Sequence, residues 1–347
     1  YAKNFFHHTE EERQNFRNTL ITSSLVIGNL LTVICITAYS VYHYMSETIL
    51  PLFPMVYLSF FANIYGYYFS FFQTEKKMKG EVKKYFTVTL ANSFLSAALS
   101  IVFVVVLKTK VEGRLFALLL SNIIIAIYCI KVLLTKFTID KTIFKKCLSF
   151  SWPVIFSAIL FYGLSSIDKI FLEKLNNNEQ FGLYNIAIQI VSYFGVFGIA
   201  VMQTFSPDIY KFTAQKKYNQ LLKLSIMIII LTSLFNLAFI PFSKLVFQIL
   251  TYGKFTEAYH FADILIFRNI TYIIFFLMSD IFIGLGLTKF DFGIKLISTI
   301  FVVILYKFSI NNYQFLGAAW VQVISLVIPI LIALLFMPIL NKRVYLL

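Results

Sequence analysis

The sequence is short of charge. Only 13% of its 347 residues are Asp, Glu, Lys or Arg, about half the usual share of a soluble globular chain. A soluble fold of this length needs a charged surface, and these residues are too few to make one. Acidic residues are the scarcer kind, 16 against 30 basic. Histidine is rarer still: His7, His8, His43 and His260 have no spacing suited to a catalytic base or a metal site. The three cysteines, Cys35, Cys129 and Cys147, lie far apart in or beside apolar runs. That spacing excludes a disulfide framework and leaves them as small apolar fillers. Long loops are missing as well, so no connection can hold a separate domain or an acceptor site. No cofactor motif occurs, and no cofactor is expected.

What is abundant is apolar, at 59% of the residues. Backbone groups in lipid must bond to one another, so only helices or a closed barrel can span a bilayer. Long continuous apolar runs, rather than short alternating ones, select helices. The expected class is therefore an all-α polytopic membrane protein. About ten transmembrane helices are expected, with cores near 19–41, 50–72, 85–107, 115–135, 148–168, 181–205, 221–249, 261–286, 290–309 and 315–339. The seventh is long and is expected to tilt or break near Pro241.

The net charge of +14 does not point to nucleic acid, because the lysines sit in short connections between apolar runs. One alternating set of connections carries 20 basic residues, including Arg13, Arg17, Lys76, Lys141, Lys146, Lys216, Lys342 and Arg343. The other set carries 6: Lys108, Lys110, Arg114, Lys169, Lys174 and Lys254. This imbalance predicts cytoplasmic ends and an even number of spans. The basic connections around 131–147 and 206–220 are expected to face anionic membrane lipid. The chain opens on Tyr1 in a polar stretch rather than on Met, and is expected to lack its natural start. The excess of Lys over Arg, with many Phe, Ile, Tyr and Asn, fits an AT-rich bacterial genome.

A faint internal echo links Gly113–Ser121 to Gly317–Ser325; each segment opens a span and follows another span and a basic connection. Parallel repeats of this kind are common in transporters.

From Ser151 onward the chain resembles the polysaccharide flippases, of O-antigen and capsule type, in the multidrug/oligosaccharidyl-lipid/polysaccharide exporter superfamily. The residues that carry the likeness are Ser151-Trp-Pro153 and Ser165-Ser-Ile-Asp168-Lys169, then Phe181-Gly182-Leu183-Tyr184-Asn185 and Ser206-Pro207-Asp-Ile-Tyr210. By motif the resemblance covers about 148–330, and by span pattern the whole chain. It implies a two-lobe transporter, with an incomplete four-span lobe over 1–147 and a six-span lobe over 148–347. Two spans would be missing at the front. It also implies the substrate: a polyprenyl-diphosphate-linked oligosaccharide flipped across the bacterial inner membrane by alternating access, alongside polysaccharide assembly proteins. Read physically, Pro153 suits the first turn of a helix, Gly182 a tight helix entry, and Tyr184 an interfacial anchor.

Ionisable residues within spans are costly and mark functional positions. Arg268 lies seven residues into the eighth span, about 10 Å from its outer edge at 1.5 Å per residue. It is the first candidate to bind the diphosphate, and Lys295 the second. Asp280, about 120° further round the same helix, is a gating or ion-coupling candidate or a partner of Lys289. Asp168 and Lys169, at the outer end of the fifth span, are expected to be hydrated. They are candidates for coupling to a proton or sodium ion, with Asp168 alternatively paired to Arg268. Asp291 and Lys295 are spaced for an intrahelical pair. Two other readings compete: a drug or cation exporter of the same superfamily, and a membrane sugar polymerase or acyltransferase. The first is disfavoured by the few acids within spans, and the second by the missing catalytic constellation.

Overall fold

In the computed structural model, residues 1–6, 8–46 and 52–344 are described, without the side chains of 4, 46, 52–53, 162–166 and 336–344. His7 and the side chains of Ser165, Lys342 and Arg343, all used above, lie outside the described residues. Among the described residues there is no strand. Among the described residues eight helices are long and apolar enough to cross a membrane. The chain is an all-α multi-pass membrane protein, and it divides into two compact units, Tyr1–Leu148 and Ser149–Leu347.

The first unit begins with α1 (Ala2–Phe5) and α2 (Glu10–Ser23). Thr9 caps α2 through a reciprocal pair: its hydroxyl accepts from the Glu12 N–H, and the Glu12 carboxylate accepts from the Thr9 N–H at 2.9 Å. A π-helical turn at Ser24–Gly28 carries the helix on into α3 (Asn29–Ser46). Then come α4 (Tyr57–Met78), α5 (Val82–Ser100) and α6 (Lys110–Leu133). α6 packs on α4 and α5. Ile21, Phe72, Ala126 and Cys129 fill the core between α2, α4 and α6. Leu30, Val33 and Ile34 on α3 are half-exposed, as expected of a face that meets lipid rather than water.

α7 (Lys141–Glu173) starts within the last residues of the first unit and continues into the second. The second unit then contains α8 (Asn178–Ala214), α9 (Tyr218–Leu237), α10 (Ser243–Leu250), α11 (Tyr259–Leu285) and α12 (Thr288–Val344). α11 is the central helix and packs on α8, α9 and α12. Glycines let α8 and α11 approach closely: a Cβ at Gly195 would meet Asn269 at 3.1 Å, and one at Gly198 would meet Ile273 at 2.7 Å. Across this contact the Asn269 amide donates to the Val191 carbonyl and to Asn236 Oδ1, each at 2.9 Å.

Several sequence expectations change. The expected spans 290–309 and 315–339 form one run, α12, broken at Gln314 with φ 48° and ψ −128°. The span at 50–72 falls on α4, which is not one of those eight helices, so the count of ten is approximate. Pro153 is not in a first turn: the lysine-rich 141–147 segment is already helical and places it twelve residues inside α7. Pro207 likewise lies within α8. The break near Pro241 is observed, with α9 ending at Leu237 and a tight turn over Ile240–Phe242. The two glycines of the internal echo play the same part. A Cβ on Gly113 would strike Thr109, and one on Gly317 would strike the Ser309 carbonyl, so each permits a close turn into its helix.

Candidate functional site

Three polar clusters in the second unit hold most of the sequence-predicted residues. The first is built around Asp168, on α7 near its end. It is not hydrated: it is fully buried. Its Oδ2 accepts from the Tyr184 hydroxyl at 2.7 Å and from the Gln322 side-chain amide at 2.8 Å, while Oδ1 has no hydrogen-bond partner among the described residues. Tyr184 comes from the first turns of α8 and Gln322 from the second half of α12, so three helices meet at one carboxylate. Tyr306, also fully buried, belongs to the same buried core as Tyr184. Tyr184 is therefore a buried donor and not an interfacial anchor. Lys169, the next residue, points out and is exposed.

Arg268 lies on α11 and is half-buried. The expected pair with Asp168 does not form within 4 Å, because the donors to Asp168 are the phenol and the amide. Among the described residues the Arg268 guanidinium makes no hydrogen bond or ion pair.

The second cluster joins α11 to α12. The Lys295 ammonium donates to Asp291 at 2.6 Å and to the Ser279 hydroxyl at 2.8 Å, and Ser279 in turn donates to Asp291 at 3.0 Å. All three are buried, and Lys295 also sits 5.1 Å from the Phe275 ring centre. The i, i+4 pair expected from the sequence is present. It neutralises Lys295 locally. In the third cluster the Tyr210 hydroxyl of α8 approaches Asp280 of α11 at 3.4 Å. Just beyond it, Gly286 adopts φ 83° and ends α11 in the left-handed conformation that glycine accepts without strain.

The sequence missed Tyr184, Gln322, Tyr306 and Ser279 as members of these clusters. The only signal was positional: Tyr184 stands in the Gly-x-Tyr segment and Gln322 in the internal echo. Nothing in the sequence ties Gln322 to a carboxylate 154 residues away.

The first unit has its own network where Arg17 and Lys76 were expected among the basic connections between spans. Arg17 donates to Glu75 at 2.7 Å, and both are buried. Lys79 bridges Glu75 at 3.1 Å to Glu10 at 2.8 Å, and buried Lys76 meets Glu81 at 3.3 Å. Burial pulls the Lys79 ammonium down, but its hydrogen bonds to Glu10 and Glu75 outweigh this and hold its pKa above the usual value. Glu81 is held below the usual carboxylate range, first by the hydrogen bond from Lys84 and also by Lys76, against a small opposing effect of burial. No group of three or more metal-ligating side chains occurs among the described residues.

The family described as "Polysaccharide biosynthesis protein" matches residues 4–213. That range takes in the first unit and the Ser151–Tyr210 segment that carried the sequence resemblance. A comparison with curated proteins finds no match. Among solved structures, the chain is similar to a Vibrio cholerae MATE transporter, with a TM-score of 0.79 at 14% identity over 100% of this chain and 84% of that one. It is also similar to an outward-facing multidrug resistance MATE family transporter of the MOP superfamily, with a TM-score of 0.77 at 16% identity over 99% of this chain and 81% of that one. A third is a MOP superfamily transporter from Pyrococcus furiosus, described as having a binding pocket of reversed polarity, with a TM-score of 0.77 at 15% identity over 99% and 81%. At these identities the likeness is one of fold. The family match covers well over half of the chain, so the chain belongs to the polysaccharide biosynthesis protein family.

Proposed function

We propose that this protein flips polyprenyl-diphosphate-linked oligosaccharide repeat units across the bacterial cytoplasmic membrane, with both ends of the chain on the cytoplasmic side. The two compact units act as the two lobes of an alternating-access transporter. The observation that carries the reading is Arg268: a half-buried guanidinium within a spanning helix, without an ion-pair partner among the described residues. Such a charge is costly unless a ligand or water compensates it, and a diphosphate matches the donor geometry of arginine. Lys295 is the weaker candidate, since Asp291 already satisfies it.

Coupling to a proton or sodium ion falls to Asp168, whose buried carboxylate has one oxygen without a hydrogen bond among the described residues. Asp280 serves as a gating carboxylate beside Tyr210, and exposed Lys169, next to Asp168, shares the ion-coupling role. Membrane lipids surround the apolar faces, and polysaccharide assembly enzymes supply and consume the glycan.

The test is a flipping assay in proteoliposomes with a lipid-linked oligosaccharide. Intact protein is expected to expose the glycan to the opposite face, and Arg268→Ala to slow this by at least an order of magnitude, the loss of one charge-assisted contact to a diphosphate being worth roughly 1.5–3 kcal/mol. Unchanged flipping by the variant removes Arg268 from the mechanism. Export of cationic drugs with no flipping favours the drug-exporter reading, which at present rests on fold alone.

A further inference from the structure

The second unit carries a feature that neither the buried clusters nor Arg268 explain. Three connections converge at the end of the unit read as outer: the α7–α8 turn, the start of α11, and the break inside α12. Together they form an open cleft of ≈ 770 Å³. That volume is in the range of small-molecule sites. Its polar lining includes Glu179, Gln180, Glu257, His260, Tyr313 and Gln314.

The charge of this cleft is the reverse of the chain's. The protein carries +14, yet no lysine or arginine lines the cleft among the described residues, and its formal charges are the two carboxylates. His260 is tied to Glu257 at 3.4 Å. An anion such as diphosphate is therefore disfavoured here. What the lining offers is carboxylate and amide acceptors, amide donors and an aromatic ring, with Tyr313 67% exposed at the rim. This is the chemistry of a carbohydrate site: hydroxyls bond to carboxylates and amides, and the apolar face of a sugar ring lies on the aromatic ring.

The corner that presents Tyr313 is built at a conformational cost. Gln314 has φ 48° and ψ −128°, a region that side chains rarely enter. The turn is held because Gly317 packs directly on the Ser309 carbonyl, where no side chain would fit. Strain of this kind persists only where the surroundings enforce it.

We infer that this outer cleft binds the glycan portion of the transported lipid, as neutral or amino sugars, separately from the site that takes its diphosphate. The inference rests on the flippase reading. Recognition is thereby split by charge: the cation handles phosphate within the spans, and an acidic, aromatic cleft holds the sugars where the product leaves.

The test uses the full chain in nanodiscs and a phosphate-free oligosaccharide, released by mild acid from the producing cell's own lipid-linked pool and dephosphorylated. Saturation-transfer NMR is expected to show sugar protons contacting the protein. Tyr313→Ala should weaken binding about tenfold, as for loss of one aromatic anchor. Glu257→Gln should weaken it too, while Tyr252→Ala, an exposed tyrosine outside the cleft, leaves it unchanged. Inorganic pyrophosphate should not compete. The inference is overturned if the glycan shows no transfer, if Tyr313→Ala and Glu257→Gln bind like the unsubstituted protein, or if pyrophosphate displaces the sugar. Flipping is measured in parallel. Flipping without glycan binding at the cleft sinks this inference and leaves the flippase reading standing, whereas glycan binding without flipping sinks the flippase reading and, with it, the claim that the bound glycan belongs to a transported lipid.

Discussion

Removing the Tyr184 hydroxyl tests the buried carboxylate directly. Asp168 accepts from Tyr184 and Gln322 on one oxygen, at 2.7 and 2.8 Å, and is wholly out of solvent. Hydrogen bonds to charged groups contribute roughly 1.5–3 kcal/mol in soluble proteins. Those within membrane proteins average about 0.6 and reach about 1.7 kcal/mol. The two ranges overlap near 1.5 kcal/mol, and Gln322 remains as a donor, so Tyr184→Phe should cost about 1.5 kcal/mol. For a unit of this size that lowers Tm by roughly 3–6 °C.

The double variant Tyr184→Phe/Gln322→Leu strips both donors and leaves a buried charge alone, at a cost of about 3–5 kcal/mol. Adding Asp168→Leu should recover most of that loss, because an apolar replacement removes the desolvated charge along with its partners. The assay is thermal unfolding of purified protein in one lipid or detergent environment, with exposed Tyr193→Phe as the reference substitution. If Tyr184→Phe costs no more than Tyr193→Phe, or if the triple variant is no more stable than the double, the carboxylate is not held as described.

Three further outcomes follow from the same geometry. Arg17→Met leaves Glu75 buried with Lys79, 3.1 Å away, as its remaining ion-pair partner among the described residues, and should destabilise the first unit by about 3 kcal/mol; a loss below about 1 kcal/mol would mean that Lys79 carries the pairing. Glu81 has a depressed pKa, so its ionised form stabilises the fold and that contribution is lost as pH falls through its folded value, below the usual carboxylate range. A carboxyl-resolved NMR titration of Lys84→Met should show the Glu81 value rising toward normal, and an unmoved value would show that Lys84 is not the cause. Gly317→Ala drives a methyl group into the Ser309 carbonyl and should cost at least 1–3 kcal/mol, roughly, whereas Gly182→Ala meets open space and should be near neutral in the same unfolding experiment.

Much of the fold was legible because lipid imposes one rule along the whole chain: a spanning segment must be long, apolar and helical. Runs such as 221–249 and 261–286 declare themselves by composition, and Pro241 marks its own break. Helix ends were less legible. The lysine-rich stretch before Pro153 reads as a loop by charge, yet it continues the helix, since long basic side chains have good helix propensity and their charges can stay in solvent. Site residues were legible only when the reason was local. Asp291 and Lys295 stand one helical turn apart, so their spacing fixes their contact. Arg268 stands out because a charge within a span is rare.

What the sequence determined by itself was the solvent this chain folds in, the helical class, and the family resemblance carried by Ser151 to Tyr210. The tertiary structure alone decided which polar residues are buried together. Asp168 reads as a hydrated span end, and becomes a buried carboxylate because α8 and α12 bring Tyr184 and Gln322 onto it from 16 and 154 residues away. Glu179, Glu257 and Tyr313 read as unrelated loop residues, and become one acidic, aromatic cleft because three turns end at the same place. Hydropathy acts on each segment separately, whereas a hydrogen bond between helices depends on their packing, which no single segment encodes.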